Sequence, residues 1–152
     1  MPAEPRKPPD HGRGLIDTSI VILRDWISAD FLPAEIAISV VTLAELSAGP
    51  HLVRGDDPSA RRERSRRTAI LQRAEHEFDP LVFDASVARV FGQLSAALSE
   101  FGRSSRRRLG DVQIAATAVV HRLPLYTTNP ADFAGLESWL TVLPVARPSS
   151  AP

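Results

Sequence analysis

Short apolar runs alternate with amphipathic stretches along this chain, and that alternation predicts its elements. Residues 14–17 read as a short buried strand. Thr18 or Ser19 is placed to cap a helix running to about Ile27, with Ile20, Leu23 and Ile27 on one face. Residues 36–40 are apolar and β-branched, a good strand. Thr42 is positioned to cap a following helix that carries Leu43, Glu45 and Leu46. Residues 49–58 hold turn formers and charge, and read as a loop or helix break. Residues 59–78 predict a long polar helix with Ile70, Leu71 and Ala74 turned inward.

Residues 80–83 predict another strand, and Asp84 an N-cap for a helix to about Phe101. Val87, Val90, Phe91, Leu94, Leu98 and Phe101 recur at helical spacing, the clearest amphipathic pattern in the sequence. Residues 102–108 read as a basic loop. Asp111 falls in the first turn of a helix reaching about His121, where Ala115, Ala116 and Ala118 permit close packing. Residues 123–127 and 140–145 predict the last strands. Strands alternating with helices, β-α-β-α-α-β-α-α-β-α-β, imply an α/β fold with a mainly parallel sheet covered on both faces. Residues 1–13 predict a disordered extension, 14–146 the folded domain, and 147–152 a disordered tail.

Composition narrows the class without naming a chemistry. The chain has 152 residues, 43% hydrophobic and 24% charged, which suits one soluble domain. It has no cysteine, which removes disulfides, thiolate zinc sites and cysteine nucleophiles, and is compatible with the cytoplasm. No apolar run approaches the ~18 residues a membrane helix needs. The proline-rich start has no apolar core, so it does not resemble a signal peptide. Net charge is +0 but unevenly spread, and Lys7 is the only lysine. Arg61, Arg62, Arg64, Arg66 and Arg67 form one basic cluster, best read as a solvated helix face. Arg103, Arg106, Arg107 and Arg108 form another, read with equal weight as a solvated loop or a phosphate grip.

The candidate chemistry lies at the edges of the apolar elements. Asp17 ends the first strand, Glu45 sits inside the second helix, and Asp111 opens the helix after the basic loop. Thr127, Thr128 and Asn129 end the fourth strand, and Asp132 follows. Carboxylates beside apolar segments are costly to desolvate without a cation or donor. Taken singly, each has a plain structural reading as a cap, an exposed helix residue, a dipole partner or a turn. In a parallel sheet, however, polar groups at the carboxyl ends of strands converge in one crevice. Together they would make a hard, oxygen-rich pocket suited to Mg²⁺ or Mn²⁺. His51, His76 and His121 show no metal spacing. Trp26, Trp139 and Tyr126 fit packing roles at least as well as base stacking, and Tyr126 is expected in the core.

The runs Leu15-Ile16-Asp17-Thr18-Ser19, Leu43-Ala44-Glu45-Leu46, Asp111-x-x-Ile114-Ala115-Ala116-x-Ala118 and Leu125-Tyr126-Thr127-Thr128-Asn129-x-x-Asp132-Phe133 resemble the PIN-domain family. The likeness is to the VapC-type toxins of bacterial toxin–antitoxin pairs, and it covers residues 14–145. It implies a three-layer α/β/α fold and a Mg²⁺- or Mn²⁺-dependent endoribonuclease. Asp17, Glu45 and Asp111 match the family's three acidic positions. Asn129 stands where many relatives carry a fourth acid, and Asp132 matches the Asp-Phe pair that follows. The resemblance implies Asp17, Asp111, Glu45 and Asp132 as metal ligands and Asn129 as a neutral member of the catalytic set. Thr18, Thr127, Thr128, Arg103, Arg106, Arg107 and Arg108 are the expected substrate contacts. It also implies a VapB-type antitoxin as partner, an RNA substrate, a homodimer, and hetero-oligomers with the antitoxin. Helices 18–27 and 42–52 are candidates for the antitoxin groove.

Rival readings remain at this level. A haloacid-dehalogenase-like phosphatase would need a second Asp two residues after the first, where this chain has Ser19. A PIN-like module that binds protein or RNA without catalysis is the main alternative, and Asn129 is what favours it. Composition does not exclude DNA as substrate.

Overall fold

The computed structural model describes residues 12–100 and 108–151. Its strands are β1 (Arg13–Ile16), β2 (Glu35–Ala37), β3 (Leu125–Thr127) and β4 (Val142–Pro144). Its α-helices are α1 (Thr18–Leu23), α2 (Val40–Ala48), α3 (Pro58–Glu77), α4 (Ala85–Glu100) and α5 (Leu109–His121). The sheet order is β2-β1-β3-β4, and every pairing is parallel. Beyond β2, Leu81 bridges Ser39 in parallel, so the expected strand at 80–83 is a single-residue contact.

Strand alternation divides the core in two. Leu15, Ala37 and Leu125 face a cluster with Val87, Leu94 and Leu98 of α4 and Ile114, Ala115 and Ala118 of α5. Ile16, Ile38 and Tyr126 face the other way, against Ile20 and Val21 of α1, Leu46 of α2 and Ala74 of α3. A period of two thus buries both faces of one sheet, giving the expected α/β/α layers. Tyr126 is 1% exposed, as its apolar neighbours predict. Gly14 passes against its ring: a Cβ there would sit 2.5 Å from Tyr126 Cε2.

Several boundaries differ from expectation. β1 takes in Arg13, which pairs with Glu35 at 3.0 Å, so the strand begins one residue ahead of the expected start at residue 14. The first helix stops at Leu23 and continues as a 3-10 turn over Arg24–Trp26. Val40 is helical, not extended, because α2 begins there with Ser39 as its cap: Ser39 Oγ accepts from Thr42 N at 3.1 Å. The expected cap, Thr42, is instead a fully buried first-turn residue. Asp84 does cap the fourth helix, accepting from Val87 N at 3.0 Å. In the first arginine cluster, Arg61 and Arg64 reach Asp56 while Arg66 and Arg67 share Glu63. Residues 1–11, 101–107 and 152 lie outside the described residues, and with them most of the expected extension and basic loop. Among the described residues no helix is long and apolar enough to cross a membrane.

Candidate active site

The sheet order reverses between β1 and β3. From β1 the chain crosses to β2 on one side; from β3 it crosses to β4 on the other. Adjacent crossovers that part in this way leave a crevice at the strands' carboxyl ends. Asp17 follows β1 directly, and its N–H donates to Tyr126 O at 3.1 Å, which fixes the two strand ends together. Asn129 follows β3 by two residues. Glu45 comes from α2 and Asp111 from the first turn of α5. Asp17, Thr18, Glu45, Asp111, Asn129 and Asp132 line one cavity of about 250 Å³ there, with Ser19 and Ile22.

Asp17 is the most buried of these acids, 4% exposed. Its Oδ1 accepts from Ser19 Oγ at 2.6 Å and Ile20 N at 3.3 Å. Its Oδ2 accepts from the Thr127 hydroxyl. Asp17 is therefore itself the N-cap of α1, in place of Thr18 or Ser19. Only one side chain can point back over the first turn, and Asp17 is the one in extended backbone conformation with its oxygens toward Ile20 N. Burial pushes its carboxyl above the ordinary carboxylate range, against the hydrogen bonds from Ser19, Thr127 and Ile20.

Glu45 stands at the open rim. Partial burial raises its pKa, a hydrogen bond from Thr18 lowers it, and the charge of Asp17 raises it again. Thr18 Oγ1 also lies 3.1 Å from Thr42 Oγ1, so the buried Thr42 anchors the residue that touches Glu45. Glu45 lies so close to α5 that a Cβ on Gly110 would meet its Oε1 at 2.7 Å. Asp111 is pushed up to about 6, first by burial and then by the charges of Asp132, Glu45 and Asp17. Arg108 pulls it partly back, and its Nη2 donates to Ala131 O at 3.1 Å. That bond ties the start of α5 to the turn bearing Asn129 and Asp132.

Thr127 is not available to a substrate. It is fully buried, and its oxygen both bonds Asp17 and accepts from Asn129 N at 2.9 Å. It positions its neighbours, because an inward residue at the end of a central strand has no solvent side. Thr128 Oγ1 donates to Ser19 Oγ at 2.8 Å, so a hydroxyl chain runs Thr128–Ser19–Asp17. Ser19 and Gly110 are the site residues that sequence reading missed. The Asp-x-Ser spacing carried a signal for the first; the second depends on a neighbour remote in sequence. Asp132 borders the cavity while Phe133 beside it is core, 1% exposed. Arg103, Arg106 and Arg107 lie outside the described residues.

The PIN domain model matches residues 15–137. The chain belongs to the PIN-domain family. This PIN domain is 33% identical over 132 residues to Ribonuclease VapC5 of Mycobacterium tuberculosis (strain ATCC 25618 / H37Rv), covering 85% of this chain and 91% of the relative. Ribonuclease VapC4 of the same organism is 33% identical over 129 residues, covering 82% and 91%. The crystal structure of a member of the VapBC family of toxin–antitoxin systems, VapBC-5 from Mycobacterium tuberculosis, superposes with a TM-score of 0.72. It is 32% identical and covers 89% of this chain and 98% of that one.

The donor set of this PIN domain fits a hard divalent cation: all the groups are oxygens, mostly carboxylate, and neither cysteine nor histidine lines the cavity. Burial first, and then the charge of neighbouring carboxylates, raises the pKa values of Asp17, Glu45 and Asp111. Among the described residues no three acids or histidines converge closely enough to form a metal cluster, so the acids ring the cavity instead of meeting at a point.

Proposed function

We propose that this PIN domain is a divalent-metal-dependent endoribonuclease, the toxin of a toxin–antitoxin pair. The observation that carries the reading is the gathering of Asp17, Glu45, Asp111 and Asp132 around one cavity at the point where strand order reverses. Support also comes from the relatives, which are ribonucleases matched over most of their length. Asp17 and Asp111 are the groups to hold the ion directly, with Glu45 and Asp132 completing an acidic set and Asn129 offering a neutral oxygen. Mg²⁺ or Mn²⁺, when bound, supplies a water of lowered pKa and screens the charge of the scissile phosphate.

The chain's own residues do the rest. Thr127 and Ser19 fix both oxygens of Asp17. Glu45, at the rim with a raised pKa, accepts the proton of the attacking water on a carboxylate oxygen. Water oxygen bonds to phosphorus, the P–O3′ bond breaks, and O3′ takes a proton from solvent. The products are a 5′-phosphate and a 3′-hydroxyl. A VapB-type antitoxin, homodimerisation and a cytoplasmic setting belong to the same reading. Structures of VapBC complexes resembling this fold support the antitoxin.

The test is cleavage of RNA by the purified chain with Mg²⁺ or Mn²⁺, with and without chelator, followed by mapping of new 5′ ends. Cleavage that needs the cation, leaves 5′-phosphates and disappears in Asp17→Asn is expected. Equal cutting by Asp17→Asn would remove the assignment. Uptake of cation with no cutting of any RNA would favour a binding module, the reading that a neutral Asn129 keeps open.

A further inference from the structure

Glu45 is held from two sides at the rim of the acidic cavity. On one side stands α5, where Gly110 leaves room for its Oε1: a Cβ there would lie 2.7 Å away. On the other stands Thr18, which opens α1 and lines the cavity beside Glu45. Behind Thr18 lies Thr42, in the first turn of α2. Thr42 and Glu45 are three residues apart, so they share one face of that helix. The Thr18 hydroxyl meets this face, 3.1 Å from Thr42 Oγ1, and hydrogen-bonds Glu45. Thr42 is fully buried and takes no part in lining the cavity, so it touches neither substrate nor ion there.

The protons fix the direction of these contacts. Between two hydroxyls either oxygen can donate, but a carboxylate only accepts. Thr18 therefore gives its one proton to Glu45 and offers its lone pairs to Thr42. The buried Thr42 hydroxyl needs an acceptor, and among the described residues Thr18 Oγ1 is its side-chain partner. Donation then runs from Thr42 to Thr18 to Glu45. Packing alone does not call for this hydroxyl, since valine has nearly the same shape and buries at no polar cost.

We infer that Thr42 is a positioning residue for the reaction: from inside the core it fixes the Thr18 hydroxyl, and through it aims the Glu45 carboxylate at the cavity. This deepens the ribonuclease reading, on which it rests, by naming what holds the group that takes the proton of the attacking water. A glutamate side chain is long and gives up much rotamer freedom when fixed. Misplacing a reacting group by about 1 Å costs on the order of a hundredfold in rate. A tether backed by a hydroxyl that solvent does not reach keeps the carboxylate in place.

The experiment compares Thr42→Val, which removes the hydroxyl and keeps the shape, with Thr42→Ser, which keeps the hydroxyl and removes the methyl. RNA cleavage kinetics, Mn²⁺ uptake and thermal melting are read on each. Thr42→Val should lower kcat about tenfold with KM nearly unchanged, weaken Mn²⁺ uptake several-fold, and melt close to the parent. Thr42→Ser should bring kcat back near the parent value while melting lower, because it leaves a methyl-sized void. Thr18→Val should match Thr42→Val in kcat, and the double variant should lose little more than either alone. Thr42→Ala removes the same hydroxyl with a different packing defect, and carries the test if Thr42→Val does not fold. A Thr42→Val rate equal to the parent's overturns the inference. So does a Thr42→Ser loss as large as that of Thr42→Val, or losses that multiply in the double variant. Mn²⁺ uptake that weakens in Thr42→Val and not in Thr42→Ser, in a chain that cuts no RNA, would keep the positioning of Glu45 and remove the ribonuclease reading. Metal-dependent cutting indifferent to Thr42→Val would do the reverse.

Discussion

Asp17 serves fold and site with one carboxylate. Its Oδ1 closes the first turn of α1, while Oδ2 is steered by Thr127 from the neighbouring strand. Asparagine caps as well as aspartate does, so Asp17→Asn should unfold within a few degrees of the parent while cleavage is lost; thermal melts beside RNA assays read both. Gly110 leaves room for Glu45. Because a Cβ there would meet the end of a movable side chain, Gly110→Ala should displace the Glu45 carboxylate and lower kcat by about tenfold or more, with little change in melting temperature. Asp111 gives a pH signature. Its carboxyl rises from 3.8 to about 6 on folding, so between these values the folded chain binds protons that the unfolded chain has lost. The metal-free protein therefore loses stability from this group as pH rises through about 4 to 6. Asp111→Asn should raise the melting temperature at pH 7.5 and make no such difference near pH 3.5. The acids were legible in sequence because a carboxylate next to apolar runs is conspicuous. The double role of Asp17 was not, since Asp, Thr and Ser all cap well and only side-chain direction separates them. Gly110 was silent because its reason is a carboxylate on another helix.

At the scale of elements, periodicity carried the helices. The apolar spacing of α4 and the alanines of α5 are written in consecutive residues, and both helices form where the pattern puts them. The β2–α2 junction was harder, because Ile36, Ile38 and Val40 all suit a strand and only Ser39 Oγ on Thr42 N marks the change. Removing a comparable cap gives a measure of these signals: Asp84→Ala, which deletes the bond to Val87 N, should cost about 1 kcal/mol in denaturant unfolding. Gly14→Ala should cost more, about 1–3 kcal/mol, since Tyr126 is packed in the core and its ring cannot move aside as the end of Glu45 can. Unchanged stability in Gly14→Ala would mean that β1 and β3 do not approach as described.

Across the whole molecule, the site exists because a parallel sheet reverses its strand order between β1 and β3. Alternating strands and helices made that architecture legible before any coordinates, and it gathers acids that lie far apart in sequence. How the arginine-rich helix α3 is partnered was not legible: Arg61 and Arg64 reach Asp56 from a loop ahead of the helix, while Arg66 and Arg67 share Glu63 within it. Expression without an antitoxin should arrest growth, and Asp111→Ala should relieve the arrest. The most direct test of the central claim is a Mn²⁺ titration of the purified chain at pH 7.5, followed by the loss of the free-ion paramagnetic signal. Saturable uptake by the parent, weakened more than about tenfold in each of Asp17→Asn, Glu45→Gln and Asp111→Asn, is the predicted result. Absence of uptake by the parent, or uptake indifferent to all three substitutions, would contradict it.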